Sequence, residues 1–207
     1  PLGHLEVRSL EPDPWQPAEL AMIALLADFC GGVIERAERL EKLVFVDPLT
    51  TVYNRSYYDL QIRNEIARAQ REQSSLALLI CDIDDFKSFN TSFGYEAGNQ
   101  VLVQVAHTLR AGVRPFDTVA RWGGEEFMVV MPDSDEKVGR VVAERLRAKV
   151  GQTPVTTSQT PDGIPVTISV GIAASQPNGF DPAVLIQAAD AALYRAKEGG
   201  RNRVEAA

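Results

Sequence analysis

Five carboxylates in two short runs could do chemistry together: Asp82, Asp84 and Asp85 in CDIDD, and Glu125 and Glu126 in RWGGEEF. Like charges gathered at one place raise one another's pKa or recruit a cation. With no histidine or cysteine in either run, the ligands are all oxygen, which suits Mg2+ or Mn2+ rather than zinc. Solvated acids at strand ends are the plain alternative. Cations come from further along: ALYRAKEGGRNR places Lys197 and Arg201 one helical turn apart, beside glycines that allow close backbone approach. A helix C-terminus favoured by its own dipole would carry the same residues. Carboxylates holding a metal, with a lysine and an arginine, are also what a nucleoside triphosphate requires, because fixed cations absorb the charge of a leaving pyrophosphate.

The elements that must position these groups are legible from periodicity. LALLICDID, over 76–84, is nearly all apolar and predicts a strand central to its sheet, ending in the acids. GGEE lies between strands predicted at 117–122 and 126–131, so one sheet edge can gather both acidic runs. Helices are expected over 56–72, 96–111, 134–150 and 182–198, with a hairpin pair around 153–159 and 164–173 and a short terminal strand.

The chain has 207 residues, 45% hydrophobic and 24% charged, which is ordinary globular composition. A net charge of −7 argues against a nucleic-acid partner and against an anionic membrane surface. Cys30 and Cys81 show no metal or redox spacing and fit a reducing compartment. No apolar run approaches the roughly 18 residues that span a bilayer, and no secretory pattern opens the chain, so the expected location is cytoplasmic. The opening PLGH reads as a cleavage scar, and the chain as part of something longer.

Three segments are expected: an irregular lead-in over 1–16, a helix over 17–46, and a globular domain over 47–207. In the helix, Ile23, Ala27, Cys30, Ile34, Ala37 and Val44 recur in steps of three and four, broken at Glu41. That seam serves either a helix packed on its own domain or a parallel dimer stalk. Gly31 and Gly32 weaken its middle.

The globular part resembles the GGDEF family of diguanylate cyclases. The resemblance runs through DPLTTVYNR at 47–55, CDIDDFKSFN at 81–90, ARWGGEEF at 120–127, VTISVGIA at 166–173 and ADAALYRAKEGGRNRV at 189–204. It implies an α/β (α+β) fold, with a central five-stranded, mostly antiparallel sheet flanked by helices, similar to adenylyl cyclase and polymerase palm domains. It also implies condensation of two GTP into cyclic di-GMP with release of two pyrophosphates at a homodimer interface, using two Mg2+ or Mn2+ per active site. By the same resemblance Asp82 and Glu126 bind metal with the carbonyl of Ile83, and Glu125 helps deprotonate the ribose 3′-hydroxyl. Lys87, Lys197 and Arg201 then contact phosphates, Gly123 and Gly124 leave room for nucleotide, and Asn90 reads guanine. The leading helix is similar to the closing helix of a GAF sensor, which implies an upstream sensor domain.

Asn99 departs from the pattern, where the family usually has an aspartate. A carboxylate accepts from both N1–H and N2–H2 of guanine, whereas an amide offers one acceptor and one donor, which either still pairs with O6 and N1–H of guanine and changes little or also suits adenine and weakens the preference for GTP. Thr91 and Tyr95 replace the more usual Asp and His, and Thr51 a Gly. Arg114 and Asp117, in RPFD five residues before the glycines, match the family's product-inhibition motif, with Arg145 as a supporting arginine. The alternatives to an active cyclase are a cyclic di-GMP-binding sensor module without catalysis and a cyclase of relaxed base specificity making some cyclic GMP-AMP.

Overall fold

The computed structural model describes residues 8, 15–156, 160, 163–175 and 181–207. The PLGH segment, and residues 157–159 of the expected hairpin, lie outside the described residues. The chain divides into two compact units, Pro1–Val44 and Phe45–Ala207.

The first unit is dominated by helix α1, Pro17–Phe45. Glu19 reaches back to accept from the Gln16 backbone N–H at 2.8 Å, half of a capping box, and Lys42 sits in the last turn where the dipole favours a cation. Leu25, Leu26, Phe29, Ile34 and Leu43 are all exposed along it. By length and composition this helix is apolar enough to cross a membrane, with a mean hydropathy of 1.6 over an 18-residue window. That corrects the expectation of no such segment. Asp28 and the Gly31–Gly32 pair interrupt the apolar run without lowering its average much.

The second unit is built on one sheet. Its strands are β1 (Tyr53–Asn54), β2 (Leu76–Ile83), β3 (Thr118–Gly123), β4 (Glu126–Pro132), β5 (Ile168–Ser175) and β6 (Val204–Ala206), in the order β1-β3-β4-β2-β5-β6. The long strands pair antiparallel, and the two short edge strands pair parallel. The sixth strand beyond the expected five is β1, whose two residues are too few to show any periodicity. Among the described residues, the expected hairpin shows an antiparallel bridge between Val155 and Ile164 ahead of β5.

β2 is buried at every position because it feeds two cores. Ala77, Leu79, Cys81 and Ile83 pack with Val101, Leu109, Val142 and Leu146 from helices α3 (Phe86–Ala111) and α4 (Glu136–Gly151). Leu76, Leu78 and Ile80 pack with Tyr58, Ile62, Leu185 and Leu193 from helices α2 (Arg55–Glu72) and α5 (Pro182–Glu198). Each fully buried leucine or isoleucine contributes about 1.5–3 kcal/mol, so β2 anchors the sheet from both faces. Asn54, Asp135 and Asp181 cap α2, α4 and α5 by accepting from the backbone N–H groups of Tyr57, Val138 and Ala183.

Two local departures from regular geometry matter for the site. Helix α3 begins ten residues before its expected start and is kinked at Gly94 (φ 83°, ψ 162°), which splits it into a short first part and a long second part. Thr51, which stands where the resemblance leads one to expect glycine, lies in the left-handed region at φ 59°. A β-branched side chain resists that conformation, and a glycine would adopt it without steric cost.

Candidate active site

The C-terminal end of β2 meets the β3–β4 turn. Asp82 and Glu126 are directly opposed across the antiparallel β2–β4 ladder, and the Ile83 N–H donates to the Glu125 carbonyl at 3.4 Å. Glu125 and Glu126 are half-buried, while Asp82 is buried. Burial pushes the Asp82 carboxyl up to about 6, with Glu125 and Glu126 adding to the rise and Lys197 opposing it. Lys197 Nζ lies 2.8 Å from Asp82 Oδ2, and Arg201 Nε lies 3.3 Å from Asp85 Oδ1. Lys197 and Arg201 therefore both reach acids at the C-terminal end of β2, Asp82 within the strand and Asp85 just beyond it.

The acidic runs do not form one cluster. Among the described residues, no three His, Cys, Asp or Glu side chains gather closely enough to hold a metal. Asp85 is paired with Arg201, and Asp84 accepts from Thr167, Ser169 and the Asn202 backbone instead. What remains is the Asp82–Glu126 pair beside the Ile83 backbone. Two carboxylates and a carbonyl are hard oxygen donors of the kind a divalent cation such as Mg2+ takes.

Beside these acids opens a cavity of about 750 Å3, lined by Lys87, Asn90, Asn99, Arg121, Gly124 and Glu125 among others. Asn90 Oδ1 is buried there without a hydrogen-bond partner, an acceptor with nothing to accept from. The amide can occupy its place only because residue 98 is glycine; an added Cβ would run into Asn90 Oδ1. Gly124 takes a left-handed φ of 49°, and a Cβ on Gly123 would touch no atom of the protein. The chain itself leaves the space over Gly123 open.

Arg121 is a residue the sequence reading passed over. Its Nε and Nη2 donate to the Gly124 carbonyl at 3.1 and 2.8 Å, while Nη1 lies 3.3 Å from Asp47 Oδ1. Asp47 in turn accepts from the Thr50 N–H and hydroxyl at 2.8 and 2.6 Å. One guanidinium thus braces the glycine turn against the DPLT segment. The signal was available: the arginine stands two residues before the glycines, and the aspartate opens the first quoted motif.

A second cavity, of about 800 Å3, is lined by Arg114, Asp117 and Arg145, together with Lys137 and Lys149. Asp117 Oδ2 accepts from the Arg114 N–H at 2.9 Å, and its Oδ1 is buried without a partner. Burial holds the Asp117 carboxyl above its usual range, against the pull of Arg114, Arg110 and Arg145. Arg145 Nη2 donates to the Gly112 carbonyl at 2.6 Å. Four cations around one deep carboxylate make this cavity suited to an anion that also carries hydrogen-bond donors.

Residues 44–203 match the family model described as diguanylate cyclase, GGDEF domain. The chain is 42% identical over 161 residues to the diguanylate cyclase DgcP of Pseudomonas aeruginosa, covering 78% of this chain and 24% of that protein. It is 38% identical over 163 residues to the response regulator PleD of Caulobacter vibrioides, covering 79% and 36%. The chain thus spans well under half the length of these curated relatives. Among solved structures, it superposes on the coiled coil and GGDEF domain of DgcB from Caulobacter crescentus, in complex with c-di-GMP, with a TM-score of 0.77 and 33% identity over 90% of this chain and 100% of that one. The active GGEEF domain of a Vibrio cholerae diguanylate cyclase gives 0.69 and 29% over 74% and 96%. A sheet that brings GGEE against the acids of β2, with this sequence over 160 of its residues, has one family reading: the chain belongs to the GGDEF family of diguanylate cyclase domains.

Proposed function

We propose that this chain condenses two GTP into cyclic di-GMP, with release of two pyrophosphates. The observation that carries this reading is the opposed Asp82–Glu126 pair, with Lys197 2.8 Å from Asp82, next to Glu125, which lines the cavity that holds the unpartnered Asn90 acceptor. Asn90 Oδ1 accepts from a guanine N–H, and Asn99 adds one acceptor and one donor to the base edge. The open space over Gly123 admits the nucleotide phosphates, with Lys87, Lys197 and Arg201 as their cations. Asp82, Glu126 and the Ile83 carbonyl would hold Mg2+ or Mn2+, two ions per site by family analogy, which when bound supplies Lewis-acid stabilisation of the phosphoryl oxygens. Glu125 takes the proton of the 3′-hydroxyl as its oxygen bonds to the α-phosphorus of the second GTP. The bond to pyrophosphate breaks, and Lys197 and Arg201 absorb the departing charge.

Two bond-forming steps between two GTP molecules require two sites facing each other, hence a homodimer. The exposed apolar residues of α1 favour pairing through that helix, and the DgcB structure likewise includes a coiled coil. We place the catalytic unit in the cytoplasm, with a sensor domain upstream.

Equal concentrations of GTP and ATP, incubated with the protein and Mg2+, test the reading when products are identified by mass. Cyclic di-GMP with pyrophosphate is the expected result. Cyclic GMP-AMP in the mixture would show that the Asn99 amide has relaxed base selection. Cyclic di-GMP binding without any product would leave a sensor module in place of an enzyme.

The second cavity is proposed as a feedback site for cyclic di-GMP. Arg114 meets a guanine Hoogsteen edge or phosphate, and the free Asp117 Oδ1 accepts from the base. Arg114→Ala is expected to raise the cyclic di-GMP concentration that half-inhibits turnover by about tenfold or more, the loss of one charge-assisted pair. Inhibition curves for the two proteins decide it, and superimposable curves would remove the assignment.

A further inference from the structure

The Asp84 carboxylate has no direct part in the chemistry above, yet it is among the most fully engaged side chains near the site. It sits one residue beyond β2, half-buried, with both oxygens occupied. Oδ2 accepts from the Thr167 hydroxyl at 2.6 Å and from the Asn202 backbone N–H at 3.0 Å; Oδ1 accepts from the Ser169 hydroxyl at 2.6 Å. Its own N–H donates to the Thr167 carbonyl at 3.0 Å. One aspartate therefore ties the end of β2 to β5 and to the turn after α5.

That turn is unusual. Gly200, Arg201 and Asn202 have φ of 110°, 62° and 46°, three left-handed residues in a row of which two carry side chains. Side chains resist this conformation, and it persists only where neighbours over-determine it. Here the holds are the Arg201 N–H on the Ala196 carbonyl at 3.0 Å, Arg147 on Asn202 Oδ1 at 2.8 Å, and Asp84 on the Asn202 N–H. The residue so presented is Arg201, whose guanidinium turns back toward the acids at Asp85.

We propose that Asp84 is a positioning residue: by anchoring the left-handed turn Gly200–Asn202 to β2 and β5, it aims Arg201 at the polyphosphate of the nucleotide. The proposal rests on the phosphate role given to Lys197 and Arg201 above. It also assigns the hydroxyls of Thr167 and Ser169, in the VTIS segment, the task of orienting that carboxylate.

The test compares equilibrium binding of GTP and of guanosine to the whole chain and its variants, with thermal melts as a fold control. Asp84→Ala is expected to weaken GTP by about tenfold, in line with loss of a charged hydrogen-bonding group, while guanosine binding stays within about twofold. Asp84→Asn should recover most of the GTP affinity, because an amide oxygen can still take the Asn202 N–H while the Ser169 hydroxyl turns to accept. Thr167→Val, which keeps the branched shape, should shift GTP in the same direction by less. Adding Asp84→Ala to Arg201→Ala should cost nothing further, since the effect runs through that arginine. Equal weakening of GTP and guanosine, or additive losses in the double variant, would overturn the proposal. Should the unmodified chain bind GTP no more tightly than guanosine, the phosphate reading of Lys197 and Arg201 falls first and this one with it. If Arg201→Ala weakens GTP and Asp84→Ala does not, only the positioning role is lost.

Discussion

Glu126→Gln is expected to lower cyclic di-GMP formation by about a thousandfold with little change in thermal stability. The substitution keeps the shape of the side chain and removes one negative charge. Glu126 is half-buried and lies directly across the ladder from Asp82, so the two carboxylates act as a unit at the strand ends. An amide in place of one of them weakens a hard-cation site and leaves Asp82 paired with Lys197 alone. The loss should fall on kcat, because in the proposed mechanism this carboxylate would help hold the cation that stabilises the phosphoryl oxygens, and it has no part in reading the base. Pyrophosphate release over a range of GTP concentrations separates the two parameters. Activity within tenfold of the parent would mean that the opposed pair is not the centre of the chemistry. The corresponding amide at Glu125 provides a comparison, since it removes the proposed proton acceptor while leaving the Asp82–Glu126 pair in place.

How much of this could be read in advance depended on how far apart in the chain the interacting groups lie. β2 was legible because eight consecutive buried residues are apolar or end in acids, and a strand that feeds two cores cannot look otherwise. The neighbouring GGEE turn was legible because turn chemistry is local. Asp84 was grouped with the other acids for the same reason, and wrongly: its partners Thr167, Ser169 and Asn202 lie 83, 85 and 118 residues away. Nothing near it in sequence distinguishes a carboxylate that faces a cavity from one that faces three donors. The start of α3 was missed on other grounds. Gly94 breaks its periodicity, so the first part, which carries Lys87 and Asn90, does not continue the pattern of the second. The apolar character of α1 was underestimated because consecutive residues were counted and not the average over a window.

Gly171→Ala is expected to destabilise the domain by about 3 kcal/mol, which for a chain of this size lowers Tm by roughly 5–15 °C. Gly171 lies in β5, opposite Ile80 of the central strand, on the face that packs against α5. A Cβ there would drive into the Ala189 carbonyl and the Leu193 N–H, and would come within 2.8 Å of the Leu193 Cα. All three obstacles are helix backbone, which cannot rotate aside as a side chain can, so α5 must move off the sheet. One turn further along, the same helix carries Lys197, which reaches Asp82 at 2.8 Å, and beyond it the turn that presents Arg201. The fraction that still folds should therefore bind GTP more weakly, while guanosine affinity, which the proposed function assigns to Asn90 and Asn99 of α3, should be left unchanged. Gly123→Ala makes the opposite case, because its Cβ would meet no protein atom. It should leave Tm within about 1 °C of the parent, as surface substitutions do, and yet reduce GTP binding. Melting curves and GTP titrations on the two variants would distinguish a glycine required by packing from a glycine required by ligand. Equal melting temperatures would show that β5 tolerates a side chain against α5, and the close approach would then carry no weight in placing Lys197.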